Sequence, residues 1–359
     1  MLKYLEELCL LPGVSSFEEP VREYIKEKAL EECGADRVWT DVLGTLYVEK
    51  KASPKARKAA LKASGDPNWT QPKLMMAAHM DEVGFIITHI EENGYLRFLT
   101  MGGIDKRVVL GRKVYVGPKM VPGVIGLKAI HLTTPAEREL APDFTSMYID
   151  IGAKSGDEAR KLVDLGDEVV FHSDFLEFGE GRIKAKAIDD RFGCAVMLAL
   201  MKEELPMDVT CAFTVQEELG TRGAFGAAYS VAPDIALIFE GASCSDLPTI
   251  SEDNKITRIG AGPVLGLADG STIYDRGLFE LQSALADEAG IPWQVKQKMA
   301  GGTDAAAIQR SLSGIRVANI SAAVRNIHSA STIASKEDME KAYELAKLFI
   351  GAIAEGKAR

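Results

Sequence analysis

Apolar and polar positions along the chain change period several times, and each change marks an element. The opening, from MLKYLEELCLLPGVSS through the next fifteen or so residues, reads as two helices. Ser16 with Glu19 three residues on, and Pro20 near the first turn, predicts a capping box at the start of the second. RVWTDVLGTLYVEK alternates about Gly44 and predicts a hairpin. The polar, basic stretch KKASPKARKAALKASGDPNW breaks that pattern and is expected to be an exposed loop or short surface helix. LMMAAHM then reads as a buried strand.

Between Glu82 and His172 the sequence is rich in β-branched residues, glycines and short turns: GFIITHI, GYLRFLT, RKVYVG, GVIGLKAI, MYIDIGA and DEVVFH. Closely spaced short strands of this kind predict a small barrel or sandwich. Afterwards the pattern alternates between helix and strand: IDDRFGCAVMLALMKEEL, VTCAFTVQEELG, GAFGAAYS, DIALIFEGAS, YDRGLFELQSALADEAG, IRVANISAAV and SKEDMEKAYELAKLFIGAIAEG. That alternation builds an α/β sheet with helices on both faces. The expected architecture is therefore an α/β domain formed by residues 1–81 and 173–359, into which residues 82–172 are inserted as a small all-β domain.

Length agrees with two domains, because the 359 residues exceed the roughly 250–300 at which a single core stops growing. A net charge of −10 repels nucleic acid and anionic membranes, so neither is expected as a partner. The cysteines, Cys9, Cys33, Cys194, Cys211 and Cys244, are scattered and form no CxxC pair. That pattern fits a reducing compartment and no thiolate metal site. The N-terminus lacks the basic start and apolar run of a signal peptide. No apolar stretch approaches the roughly 18–20 residues that span a bilayer. A cytoplasmic location is expected.

Ligands of open α/β sheets bind beyond the carboxyl ends of strands, and polar residues gather there. LMMAAHMDE ends in His79, Asp81 and Glu82; CAFTVQEELG in Glu217 and Glu218; IALIFEG in Glu240; and ISAAVRNIHS runs out to His328. Asp189 and Asp190 precede a helix, whose positive end favours carboxylates. Zinc or cobalt takes imidazole nitrogen together with carboxylate oxygen, and a pair of ions about 3.5–4 Å apart shares one carboxylate. Asp189 suits the shared place, leaving an imidazole and a carboxylate for each ion. Glu217 is then unassigned, and it is placed to take a proton from water and later deliver it to a leaving amine. Glu217 and Glu218 can both face one site only if the chain bends at the strand end, and Gly220 just beyond is the expected place for that bend.

The motifs AAHMDEVGF, KAIDDRFGC, VQEELGTRGA, GGTDA and NIHS, in that order over nearly the whole chain, resemble the M42 metallo-aminopeptidases, the tetrahedral or glutamyl aminopeptidase group. The resemblance implies a zinc-exopeptidase-like catalytic domain and an inserted β domain, barrel or PDZ-like, that dimerises. It implies that His79, Asp189 and Glu240 hold one ion and that Asp189, Glu218 and His328 hold the other. Glu217 is then the general base, and Asp81 stands behind His79 and fixes its tautomer. A cis peptide after Asp189 is implied as well, and the dimers are expected to assemble into homo-dodecamers. Gly301, Gly302, Thr303 and Asp304 resemble the substrate-lining loop, and Arg325 is a further candidate for holding substrate.

Three features depart from the family pattern. Glu240 stands where many relatives carry aspartate, with Asp246 in reserve. The glycine-rich segment reads GGTDAAAIQ, with Ala306 and Gln309 in place of glycine and histidine. The basic stretch from Lys51 to Lys73 is longer than usual and is a candidate for altering assembly. The expected activity is removal of N-terminal residues from peptides with two divalent ions per subunit. The alternatives are another metal-dependent amide or glycan hydrolase on the same scaffold, or a non-catalytic oligomeric scaffold. A glycosidase needs two free carboxylates and no metal, and a scaffold would be expected to have lost a ligand or the base.

Overall fold

A computed structural model describes residues 1–358. Its centre is an eight-stranded mixed sheet. In spatial order the strands are Arg37–Thr40, Leu46–Lys50, Val209–Thr214, Leu74–His79, Ile235–Ser243, Arg316–Val324, Val264–Leu265 and Gln294–Val295. The four central strands, Val209–Thr214, Leu74–His79, Ile235–Ser243 and Arg316–Val324, run parallel to one another. Strands covered on both faces read as unbroken apolar runs, and Leu74–His79 and Val209–Thr214 are buried throughout.

The helix Ile188–Lys202 lies against one face of the sheet, in the same apolar cluster as helices Leu2–Leu10, Glu19–Glu31 and Lys336–Ala354. On the other face Arg222–Val231 and Asp304–Gln309 share a cluster with Ala77, Ala212 and Ile238. The predicted hairpin forms, with Arg37–Thr40 antiparallel to Leu46–Lys50. Asp41 accepts from the N–H groups of Leu43, Gly44 and Thr45, and Gly44 supplies the positive φ of 109°.

Six strands, Gly84–Ile90, Leu96–Met101, Tyr148–Asp150, Val121–Gly126, Lys113–Val116 and Glu168–Phe171, close into a barrel. It has its own apolar centre, with Phe85, Phe98 and Phe171 packed edge to face. Ala330, two residues beyond His328, also belongs to that centre. The barrel therefore packs against the segment that carries the second imidazole.

The basic stretch forms the helix Pro54–Ala63, capped by Ser53, and Trp69 beyond it donates to the carbonyl of Ala354. The groove beside it, lined by Glu49, Trp69, Lys73, Asp208 and Asp234, lies at the amino ends of the parallel strands. The capping box expected at Ser16 does not form. The second helix begins at Glu19 with Glu18 at its N-cap and no side-chain cap, and Ser16 has a φ of 75°. The Glu18 carboxylate accepts from Ser16 N–H at 2.9 Å and from Gln216 N–H at 3.1 Å, so it joins this loop to the end of a distant strand.

Candidate metal centre

At the carboxyl ends of the parallel strands five side chains come together from separate stretches of chain, Asp189 from the start of the helix Ile188–Lys202. His79, Asp189 and Glu240 offer one set of ligand atoms, and Asp189, Glu218 and His328 a second. Within each set these atoms lie within 4.8 Å of one another. His79 Nε2 is 3.2 Å from Glu240 Oε1 and 3.5 Å from Asp189 Oδ1. His328 Nε2 is 3.3 Å from Glu218 Oε1 and 3.7 Å from Asp189 Oδ2. A tetrahedral ion with bonds of about 2.0–2.2 Å holds its ligand atoms about 3.3–3.6 Å apart. The two oxygens of Asp189 face different imidazoles, as a shared carboxylate must. Glu240 Oε2 is buried and has no hydrogen-bond partner, which a cation would remedy. The donor set fits two borderline divalent ions.

The outer nitrogens of both imidazoles are held by carbonyls. His79 Nδ1 lies 3.1 Å from the Asp81 carbonyl oxygen and 3.4 Å from the Asp81 carboxylate. His328 Nδ1 lies 2.7 Å from the carbonyl of Gly103, just beyond a barrel strand. Both contacts leave Nε2 facing the carboxylates. The Asp189–Asp190 peptide is cis. Gly241 donates its N–H to Asp189 Oδ1 at 3.0 Å, and a Cβ at Gly241 would stand 2.7 Å from that oxygen.

Asp81 is fully buried, and its carboxylate mainly serves the turn that carries the paired glutamates. It accepts from the N–H of Glu217 at 3.0 Å, from the N–H of Glu218 at 3.2 Å and from the Ser15 hydroxyl at 2.6 Å. The strand stops at Thr214, and the bend begins at Gln216, with a φ of 55°, and is closed at the expected Gly220, whose φ is 107° and whose N–H donates to the Glu217 carbonyl. Asp304 is buried; one of its oxygens accepts from the Thr214 hydroxyl, and the other is unpartnered. Thr214 pairs in register with His79, which sets Asp304 beside the group.

Burial pushes Glu217 well above the ordinary carboxylate range, and Asp304, Glu218 and Asp81 push the same way against His79. Glu218 is raised to about 7, chiefly by burial. Burial also opposes ionisation of Asp189, but hydrogen bonds from His328 and His79 hold it well below its usual range. Burial would lower His328, yet Asp189 and Glu218 raise it to about 9. Burial thus disfavours the charged forms of Glu217, Glu218 and Glu240, a cost that neighbouring cations would relieve.

Other expected residues are placed as follows. Gly301 accepts from the N–H of Gly270, and Gly302 lies close against Ser271. Thr303 caps the helix Asp304–Gln309 and shares a 3.2 Å contact with the Tyr274 hydroxyl. Gln309 donates to the carbonyl of Ile273. Arg325 is held by Asp246, so Asp246 belongs to neither set and the reserve place falls away. Glu82 faces inward to Lys186 and Arg191 instead of toward the imidazoles. Arg191 is fully buried and donates to the carbonyls of Met80, Leu8 and Gly13, backing the strand end that carries His79.

Sequence reasoning missed Ser15, Glu18, Gly103 and Gly241. All four act on the site through hydrogen bonds or close approach between segments far apart in the chain, and no local pattern signals that.

A mixed sheet with an inserted barrel, and two imidazole–carboxylate sets sharing one aspartate at its strand ends, suits a metal-dependent hydrolase. Residues 60–345 match the family model of the M42 glutamyl aminopeptidases, and the chain belongs to that family. It is a peptidase. A putative aminopeptidase of Acetivibrio thermocellus is 36% identical over 347 residues, covering 96% of this chain and 97% of the relative. An aminopeptidase from the archaeon Desulfurococcus kamchatkensis superposes with a TM-score of 0.90 at 33% identity, covering 99% of this chain and 97% of the other. The TET1 peptidase of Pyrococcus horikoshii, described as assembling into a tetrahedron or a large octahedral shell, superposes with a TM-score of 0.81 at 32% identity, covering 96% and 98%.

Proposed function

We propose that this chain is an aminopeptidase that works with two divalent ions, one held by His79, Asp189 and Glu240 and the other by Asp189, Glu218 and His328. The observation that carries this reading is the Asp189 carboxylate, whose two oxygens face the two imidazoles separately. Imidazole and carboxylate donors suit zinc or cobalt. When bound, such ions supply Lewis acidity toward a scissile carbonyl and toward water.

Glu217 takes the proton of the attacking water and delivers it to the departing amine. Its place on the turn beside Glu218, held by Asp81, suits a group that must hold the proton between the two steps. Asp81 holds the turn on which Glu217 stands. Gly301, Gly302, Thr303 and Asp304 line the substrate side, and the unpartnered Asp304 oxygen offers an acceptor beside the centre. Arg325 is the least suited of the proposed substrate residues, since Asp246 already engages it.

Residues 1–81 and 173–359 are read as the catalytic unit, and residues 82–172 as a domain for self-association. Assembly into a homo-dodecamer built from dimers is proposed by analogy with the tetrahedron and the dodecamer described for TET1 peptidases. Peptides are the substrates and the cytoplasm is the proposed location. Among the described residues no helix is long and apolar enough to cross a membrane.

The test is hydrolysis of aminoacyl anilides and short peptides by protein loaded with zinc or cobalt, with metal per chain counted in the same samples. Release of N-terminal residues that stops on chelation and returns with metal is the expected result. Turnover that survives chelation would remove the two-ion reading.

A further inference from the structure

Three consecutive backbone N–H groups, those of Gln216, Glu217 and Glu218, point at two buried carboxylates. Gln216 N–H donates to Glu18 at 3.1 Å, Glu217 N–H to one oxygen of Asp81 at 3.0 Å, and Glu218 N–H to the other at 3.2 Å. The strand ladder has ended at Thr214. Gln216 adopts a φ of 55°, a conformation few residues other than glycine enter readily. Without the two carboxylates these three amides would be free, and the turn would be held only through its carbonyls, which accept from Gly220, Thr221, Arg222 and Gly223.

Glu18 is 3% exposed although it stands at a helix N-terminus, where a carboxylate ordinarily faces water. Its oxygen does not cap its own helix. It accepts from Ser16 N–H and reaches across to residue 216, while Ser15 in the same loop donates to Asp81. The loop is pinned in turn by Ser15 N–H to the Glu82 carbonyl and by Glu82 N–H to the Gly13 carbonyl. Both carboxylates thus belong to one brace behind the turn that carries Glu217 and Glu218.

We infer that Glu18 is a positioning residue for Glu217, fixing the direction in which the proposed base points by holding the amide of Gln216. The inference rests on the reading of Glu217 as the base, and the experiment separates the two. Glu18→Ala, Glu18→Gln and Glu217→Gln are compared in metal-loaded protein by aminoacyl-anilide kinetics. Hydrogen–deuterium exchange of the peptide spanning residues 215–219 is measured in native protein and in a Glu217→Gln background.

Loss of a supporting hydrogen bond behind a reacting group ordinarily costs about 10–100-fold in activity. Glu18→Ala is expected to lower kcat by that amount with KM and metal content unchanged. Glu18→Gln, which keeps one carbonyl oxygen in place, should recover most of the loss. Exchange at residues 215–219 should speed up in Glu18→Ala whether or not Glu217 is present, which tests the brace independently of turnover. Unchanged exchange and unchanged kcat in Glu18→Ala would overturn the inference, as would equal losses in the Ala and Gln variants accompanied by loss of metal. Full activity in Glu217→Gln would instead remove the base reading and leave the exchange result standing. Should Glu18→Ala fail to fold, Glu18→Asp carries the same test by withdrawing the carboxylate by one methylene.

Discussion

Asp81 accepts the backbone N–H of Glu217 at 3.0 Å while its own carbonyl oxygen stands 3.1 Å from His79 Nδ1. One residue therefore orients a proposed ligand with its main chain and the proposed base with its side chain. Asp81→Asn keeps the main-chain contact but turns one acceptor oxygen into a donor facing donors. The expected outcome is a fall in kcat of about 10–100-fold with His79 still competent to bind metal. Kinetics and elemental analysis of the same preparation check it.

The shared carboxylate gives the two sites unequal dependence on single residues. His79→Ala and His328→Ala should each reduce bound metal from two ions per chain to one, whereas Asp189→Ala should weaken both. Elemental analysis after dialysis against a metal buffer distinguishes these patterns. An Asp189→Ala protein that retains two ions would contradict the bridging geometry.

Gly241 ligates nothing, yet a methyl group there would meet Asp189 Cβ and Oδ1 at 2.7 Å. Gly241→Ala must therefore displace the shared carboxylate, at a strain of about 1–3 kcal/mol. Metal content and turnover should fall together, although every proposed ligand is intact. Metal titration by calorimetry would register the change.

Glu217→Gln preserves shape and removes the proton acceptor. A loss in kcat of about 10²–10⁴-fold is expected with two ions still bound, in line with general-base catalysis. Rates and metal counts on one sample decide the matter.

The pair Asp246–Arg325 gives a pH-dependent stability. Burial opposes the Asp246 carboxylate, but Arg325 brings it down to about 2, below its ordinary value of 3.8. Because the folded value is the lower one, the stabilisation is complete above pH of about 4 and is lost as pH falls through about 2. The urea midpoint of native protein should exceed that of Asp246→Asn at pH 6, and the difference should shrink steadily as pH falls from about 4 toward 2. A constant difference across that range would rule the pair out as its source.

Much of the site was legible because its residues end apolar strands. AAHMDE and IFEG mark the transition from buried strand to polar tip directly, and DIALIFEGAS and VTCAFT have the unbroken hydrophobicity of strands covered on both faces. The β-rich block announced a small barrel or sandwich through its short, turn-punctuated strands, and the closed barrel settles between the two. The sequence misled where local chemistry is satisfied from afar. Ser16 and Glu19 have capping-box spacing, yet Glu18 takes the N-cap place and its carboxylate goes to Gln216. Gly220 does take part in the bend, with a φ of 107°, but the chain already turns at Gln216, whose amide is held by the distant Glu18, a contact no local reading contains. Asp246 resembled a spare ligand until Arg325 was found beside it.

The carbonyl of Gly103 on His328 ties the second imidazole to the inserted barrel: the ring is steadied by backbone just beyond the strand Leu96–Met101. The catalytic sheet alone does not orient both imidazoles, so loosening the barrel far from the strand ends would free the His328 ring while leaving His79 in place.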